Sequence, residues 1–318
     1  MKMLLAEKPA AFHERTRQNQ AMNSKFTKII KKGEPILYLL PTFAVYAIFM
    51  VWPIIQNIYL STLQWNMVSP VRKFVGINNY VNFIKGADFP VIIKNSFIYV
   101  ITMMLLNFIL PYLIAFVIAL LIKKATHIYR SLIFFPSLLS LAVAAIVFMW
   151  LLNPIASPMA EFYKLFGKQS PNWFQTPGYS IIALSIITGW RCFGYNLILF
   201  LAAIIDVPNE LIEAAKIEKA SNWTIFWKII RPLTASTAFF VFTITFIFGL
   251  QYVFTPIHIL TQGGPNMAST NLVYVIYQYG FMFFQSGKSA AVAIISLAIF
   301  LIVVLIQKRA EKKIYYAN

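Results

Sequence analysis

The chain has 318 residues, of which 59% are hydrophobic and 12% are charged, and its mean hydropathy is +0.70. A water-soluble domain of this length would expose large apolar patches with such a composition, which excludes a soluble globular protein and indicates a lipid bilayer as its surroundings. The net charge of +17 does not indicate nucleic acid, because the basic residues lie mainly beside apolar segments, where they orient membrane proteins. We therefore expect no nucleic-acid partner.

The chain begins with a polar, Lys- and Arg-rich stretch that lacks both the apolar region and the cleavage site of a secretory signal peptide. We predict a cytoplasmic arm over residues 1–34, a membrane domain over 35–307 and a cytoplasmic tail over 308–318. The one cysteine, Cys192, lies in an apolar segment, so an intrachain disulfide is excluded.

Six segments contain the roughly 20 mostly apolar residues that a helix needs to cross a bilayer. Backbone facing lipid must satisfy its own hydrogen bonds, so we predict an all-α polytopic membrane protein with six transmembrane helices. The segments are Ile36–Leu60, Ser96–Ile122, Leu132–Leu152, Ser180–Ile204, Ala235–Val253 and Ala290–Ile306. Because proline removes a helical hydrogen bond and crowds the preceding turn, we expect kinks at four positions. They are Pro41, Pro53, Pro111 and Pro136.

The basic residues predict the orientation of these segments. With six spans, nineteen Lys and Arg residues fall on one side of the membrane, in the two termini and the even-numbered loops, and seven fall on the other. The positive-inside rule places the nineteen in the cytoplasm, together with both termini.

Several kinds of chemistry are not expected. All ten Asp and Glu residues lie outside the six segments, which argues against a secondary transporter driven by protons or sodium. The three histidines, His13, His127 and His258, are scattered and have no Cys or Asp neighbours at metal-ligand spacing, so we expect no metal site.

The loop between the fourth and fifth segments, residues 205–232, carries the most informative pattern. Asp206 and Asn209 flank Pro208 as a helix start, after which Glu213, Ile217 and Ala220 share one helical face. Such a face suits either a groove on another protein or the bilayer surface, and the pattern alone favours neither.

The residues of this loop, in their order and spacing, resemble the cytoplasmic EAA coupling loop of permease subunits in ATP-binding-cassette importers. The resemblance extends over most of the chain to the carbohydrate and glycerol-phosphate uptake group. It is carried outside the loop by Phe74 to Tyr80, Arg130 to Pro136, Trp150 with Asn153 and Pro154, Thr261 to Pro265, and Thr270 to Gly287.

The resemblance implies a permease of the prokaryotic inner membrane that is not an enzyme and binds no cofactor, since ATP and Mg belong to the partner ATPase. The implied partners are a second homologous permease, two ATPase subunits and an extracytoplasmic solute-binding protein. The family has glycine where Lys219 stands, so we expect either a turn of different shape or a new contact there. The implied ATPase-coupling residues are Glu210, Glu213, Ala214, Ala215, Glu218, Lys219 and Ala220.

The fourth segment holds Arg191, the one charge buried by sequence, which is a candidate for solute binding or for a structural contact in equal measure. Tyr195 aligns with a sugar-contacting tyrosine of maltose-type permeases, and aromatic faces stack on sugar rings. The expected substrate-pathway residues are Arg191, Tyr195, Asn196, Thr245, Gln251, Tyr252 and Phe254. We predict a di- or oligosaccharide as solute, with glycerol 3-phosphate or a phosphodiester as the alternative. An ion-coupled secondary transporter and a membrane scaffold without transport are the alternatives of other classes.

Overall fold

The computed structural model describes residues 38–120 and 126–315, which are mainly helical. The arm predicted over residues 1–34 lies outside this range. The strands β1 (Leu63–Gln64) and β2 (Lys73–Phe74) form a short antiparallel pair. The helices are α1 (Tyr38–Ser61), α2 (Asn78–Ile84), α3 (Phe89–Leu120), α4 (Thr126–Phe134), α5 (Leu141–Leu151), α6 (Pro158–Leu165), α7 (Tyr179–Ile205), α8 (Asn209–Ile217), α9 (Asn222–Ile225), α10 (Ala235–Thr261), α11 (Leu272–Met282) and α12 (Ser286–Tyr315).

Five of these helices are long and apolar enough to cross a membrane, and they confirm five of the predicted spans. They are α1, α3, α7, α10 and α12. The last helix continues past the predicted end of the membrane domain to Tyr315, so the described part of the expected tail is helical. The chain divides into two units, Met1–Tyr59 and Leu60–Asn318, and all sites described below lie in the second.

The third predicted span is broken rather than merely kinked. Helix α4 and the 3₁₀ turn that follows it, Phe135–Leu138, meet α5 at an angle of 101°. Pro136 ends the regular helix, Leu139 is extended, and the Ser140 hydroxyl accepts a hydrogen bond from the Val143 amide to start α5. The sequence therefore predicted the position of the irregularity but not its size.

Pro53 and Pro111 each follow a π turn. A π turn over Ala47–Val51 comes before Pro53, and another over Leu105–Ile109 comes before Pro111. The wider turn accommodates a ring that cannot donate a helical hydrogen bond. The described part of α1 begins at Tyr38, three residues before Pro41, so the kink expected there falls at the edge of the described residues and stays a prediction.

Pro111 leaves the Asn107 carbonyl without the amide that would bond to it in a regular helix. The Asn196 side-chain amide, from α7, donates to this carbonyl at 2.6 Å and also to the Thr245 hydroxyl of α10 at 3.1 Å. All three side chains are almost fully buried. A freed backbone acceptor thus joins α3, α7 and α10 at the centre of the bundle.

Two glycines of α7 allow close helix contacts. A Cβ atom on Gly194 would lie 2.3 Å from the Ile133 carbonyl oxygen of α4, and one on Gly189 would lie 2.8 Å from the Leu106 side chain of α3. Small residues at such positions let helix backbones approach closely in membranes. Glycine therefore places α7 against both the broken helix and the polar centre.

Candidate functional site

Helix α8 begins where the sequence predicts, at Asn209 after Pro208. Glu210 lies in its first turn and Lys216 in its last, which suits the positive and negative ends of the helix dipole. The loop then continues through α9, a π turn over Phe226–Ile230 and a final turn over Arg231–Leu233. Residues 205–232 thus form two short helical segments at one end of the bundle.

Lys219 forms the turn between α8 and α9 in the left-handed conformation, with φ of 60°. Its amide donates to the Lys216 carbonyl at 3.0 Å, and the Ala220 amide donates to the Ala215 carbonyl at 2.9 Å. These two bonds make the Schellman motif, which normally places glycine at this position. The expectation of a turn of different shape is therefore wrong, because lysine adopts the conformation that glycine would take.

The predicted coupling residues divide between two faces of the loop. Five are exposed, and they are Glu210, Glu213, Ala214, Glu218 and Lys219. Ile217, four residues after Glu213, is 83% exposed, so these two share a free face as the sequence predicts. Ala215 and Ala220 instead pack against the buried core, which corrects the placement of Ala220 on the free face.

The inner side of the loop is packed firmly onto the bundle. Ile212 and Phe226 belong to the same buried cluster as Tyr112 of α3 and Phe200 of α7. The Tyr112 ring stacks on Phe200 at 4.3 Å between centroids, and its distance to Phe226 is 5.1 Å. The free face of α8 is consequently held by a rigid aromatic support.

Arg191 lies at the break in the third predicted span. Its Nε donates to the Leu139 carbonyl at 3.2 Å, and its guanidinium carbon lies 5.7 Å from the centroid of the Tyr252 ring. The one ion pair found among the described residues joins Glu161 to Lys164, so no carboxylate there neutralises Arg191. The arginine thus has a structural contact and also an uncompensated charge.

The structure brings together only part of the predicted substrate pathway. Arg191 and Tyr252 are neighbours, and Tyr252 stacks on Phe248 with 4.0 Å between ring centroids. Tyr195 is 44% exposed one turn after Arg191, and Gln251 is exposed on α10. These residues offer aromatic surface, a hydrogen-bonding amide and a positive charge.

Three predicted pathway residues have other contacts. Asn196 and Thr245 are buried in the polar centre, where they bond to the Asn107 carbonyl and to each other. Phe254 stacks on His258 and contacts Tyr277 in an aromatic cluster beside α11. These contacts are those of helix packing, and the role of the three residues in lining a passage stays a prediction.

The sequence patterns described above do not single out Asn107 or Leu139. The signal for Asn107 is an isolated amide four residues before a proline within an apolar run. The signal for Leu139 is the serine that follows it and can cap a new helix.

No group of three or more potential metal ligands occurs in the described part of the chain.

Comparison with known proteins assigns this arrangement to a family. The model of the binding-protein-dependent transport system inner membrane component matches residues 112–316, more than half of the chain. The sn-glycerol-3-phosphate transport system permease protein UgpA of Rhizobium meliloti is 29% identical over 89% of this chain and 96% of its own length. The probable ABC transporter permease protein YurN of Bacillus subtilis is 28% identical over 87% of this chain and 96% of its own length.

A solved structure has the same fold. A chain of a bacterial ABC transporter that imports the acidic polysaccharide alginate superimposes with a TM-score of 0.77 at 21% sequence identity. The superposition covers 91% of this chain and 99% of that one.

The polar centre can be tested with a double-mutant cycle. We expect Asn196→Leu to destabilise the protein by about 0.6–1.7 kcal/mol, because it leaves the Asn107 carbonyl with only the longer bond of 3.5 Å from the Thr245 hydroxyl. Pro111→Ala supplies the missing amide, so the double variant should lose less stability than the sum of the single variants. Thermal unfolding in one detergent measures all four proteins. Simple additivity would contradict the role assigned to the freed carbonyl.

The turn between α8 and α9 gives a second prediction. Lys219→Gly should stabilise the protein by roughly 1 kcal/mol, because glycine adopts the left-handed conformation at little cost. Lys219→Ala is the matched control, since it removes the side chain and keeps the strain. If thermal unfolding showed equal stability for the glycine and alanine variants, backbone strain at this position would be refuted.

Proposed function

Since the chain belongs to the family of binding-protein-dependent transport system inner membrane components, we propose that it forms half of the membrane passage of an ATP-driven importer. The observation that carries the proposal is the loop of α8 and α9. Its outer face exposes Glu213 and Ile217, and its inner face is fixed to α3 and α7. A free face on a rigid support is the form that a docking element needs.

In this proposal one of the partner ATPases binds the free face of α8. ATP and Mg belong to those subunits, and this chain holds neither. Closure of the ATPase dimer displaces α8, and the packed cluster of Tyr112, Phe200 and Phe226 carries the displacement into the bundle. The bundle then exchanges inward-open and outward-open states, of which an external binding protein loaded with solute favours one.

The remaining parts of the assembly follow from the same proposal. A second homologous permease completes the passage, and two ATPases and one solute-binding protein complete the transporter. Both termini lie in the cytoplasm, because nineteen basic residues fall on the side of α8 and seven on the other.

We propose a carbohydrate-related solute, for which Tyr195 and Tyr252 supply stacking surfaces and Gln251 a hydrogen-bonding amide. Arg191 favours an anionic member of this class, such as glycerol 3-phosphate, as the second candidate. Its charge lies midway along α7 without a carboxylate partner in the described residues. An unpaired charge in a low-dielectric passage gains most from an anionic solute.

ATP coupling is tested by charge reversal on the free face. Glu213→Lys should uncouple ATP hydrolysis from uptake or weaken recovery of the ATPase with the permease, while membrane insertion stays normal. Glu161→Lys is the control, because that glutamate is exposed on α6, outside the loop. Normal uptake and ATPase recovery in the Glu213 variant would refute the docking assignment. Uptake that follows an ion gradient instead of ATP would refute the importer itself.

The solute is tested with two variants measured in parallel in cells that carry the whole transporter. For a neutral saccharide, Tyr195→Ala should remove a stacking contact worth about 1 kcal/mol, and Tyr195→Phe should retain most of it. For an anionic solute, Arg191→Gln should abolish uptake, and Arg191→Lys should restore part of it. The probes are a labelled disaccharide and labelled sn-glycerol 3-phosphate. Unchanged uptake in every variant would show that both residues are structural.

A further inference from the structure

The second unit contains a large apolar groove at the same end of the bundle as the loop. It has a volume of about 1060 Å³ and is bounded by α3, the π turn after α9, the first turns of α10 and the last turns of α12. Pockets for drug-sized ligands occupy roughly 300–1,000 Å³, so this groove has room for a long, flexible chain. The lining includes Phe108, Phe239, Phe242, Val303 and Ile306.

The groove has few free hydrogen-bonding groups that could bind a sugar. Of its polar lining residues, Gln307 is already bonded to Thr243 and to the Phe239 carbonyl, and the Tyr112 hydroxyl is bonded to Thr234. A solute with many hydroxyl groups would leave them without partners in such surroundings. A hydrocarbon chain has no such requirement.

The mouth of the groove has a different character. Trp223 and Trp227 lie there edge to face, with 5.6 Å between ring centroids. The Arg231 guanidinium carbon lies 4.8 Å from the centroid of the Trp227 ring, and Arg231 has no ion pair in the described part of the chain. Tryptophan beside arginine, next to an apolar wall, is the combination found where a membrane protein meets the headgroup layer.

From these observations we infer that the groove binds a phospholipid of the leaflet on the side of α8, with an acyl chain along α10 and α12 and its phosphate at Arg231. Charge complementarity identifies the occupant. The free guanidinium suits a phosphate, which it can hold through two parallel hydrogen bonds, and the wall behind it suits a hydrocarbon chain. The inference requires a membrane protein and is independent of the solute and of ATP coupling.

The test reconstitutes the whole transporter in vesicles of phosphatidylcholine and phosphatidylglycerol. A trace of phosphatidylglycerol with a photoreactive acyl chain labels the protein, and a photoreactive diacylglycerol, which lacks the phosphate, serves as the second probe. Labelled positions are mapped on peptides. We expect phosphatidylglycerol to label the lining at Phe239, Phe242 and Ile306 more strongly than the rest of the lipid-facing surface, and the diacylglycerol to do so weakly.

Three variants sharpen the result. Arg231→Gln should lower labelling by phosphatidylglycerol roughly fivefold and leave labelling by diacylglycerol unchanged. Ala238→Trp should fill the groove and lower labelling by both probes. Arg309→Gln is the matched control, because Arg309 is an exposed arginine of α12 that does not line the groove, and its labelling should equal that of the wild type.

Even labelling of the whole surface, or equal labelling of the Arg231 and Arg309 variants, would overturn the proposal. A groove closed by a helix of another subunit would also overturn it, since neither probe would then label the lining. Uptake is not the readout, so failure of this proposal leaves the importer intact. Ala238→Trp and Arg231→Gln act independently, so misfolding of one still leaves the other as a test.

Discussion

The bundle depends on one carbonyl group that its own helix cannot use. Pro111 removes the amide that would bond to the Asn107 oxygen, and the Asn196 amide on α7 replaces it while also holding Thr245 on α10. A backbone carbonyl inside a membrane has no water molecule that could donate a hydrogen bond to it. The free energy gained by pairing this carbonyl therefore favours one register of α3, α7 and α10. Apolar contacts alone would fix that register less well.

The same principle recurs at the break between α4 and α5. There Pro136 interrupts the helix, and Arg191 donates to the exposed Leu139 carbonyl. In both places a polar side chain from α7 donates to a backbone carbonyl beside a break or π turn that accompanies a proline. Helix α7 thus supplies the donors at both places. Its glycines at positions 189 and 194 let it approach α3 and α4 closely enough for these bonds.

Hydropathy and proline positions predicted most of the fold, because the length of an apolar run and the loss of an amide are local properties of the chain. The start of α8 and the pairing of Glu213 with Ile217 were likewise local. The sequence could not distinguish a polar side chain that faces a passage from one that binds a distant carbonyl, as Asn196 and Thr245 show. The inward orientation of Ala220 depends on the left-handed turn at Lys219. A lysine at this position predicted a turn of another shape, because lysine rarely adopts the left-handed conformation. Such assignments need the position of a partner that is remote in sequence.

The aromatic support of the loop has a mechanical consequence. Tyr112, Phe200 and Phe226 form a continuous aromatic contact from the π turn after α9 to the halves of α3 and α7 nearest the loop. Close-packed interiors have low compressibility and transmit strain. A force applied at α8 would therefore turn these half-helices together as a lever arm. The pivot would lie near the polar centre, and the stroke at the far end would depend on the length of α7 beyond it.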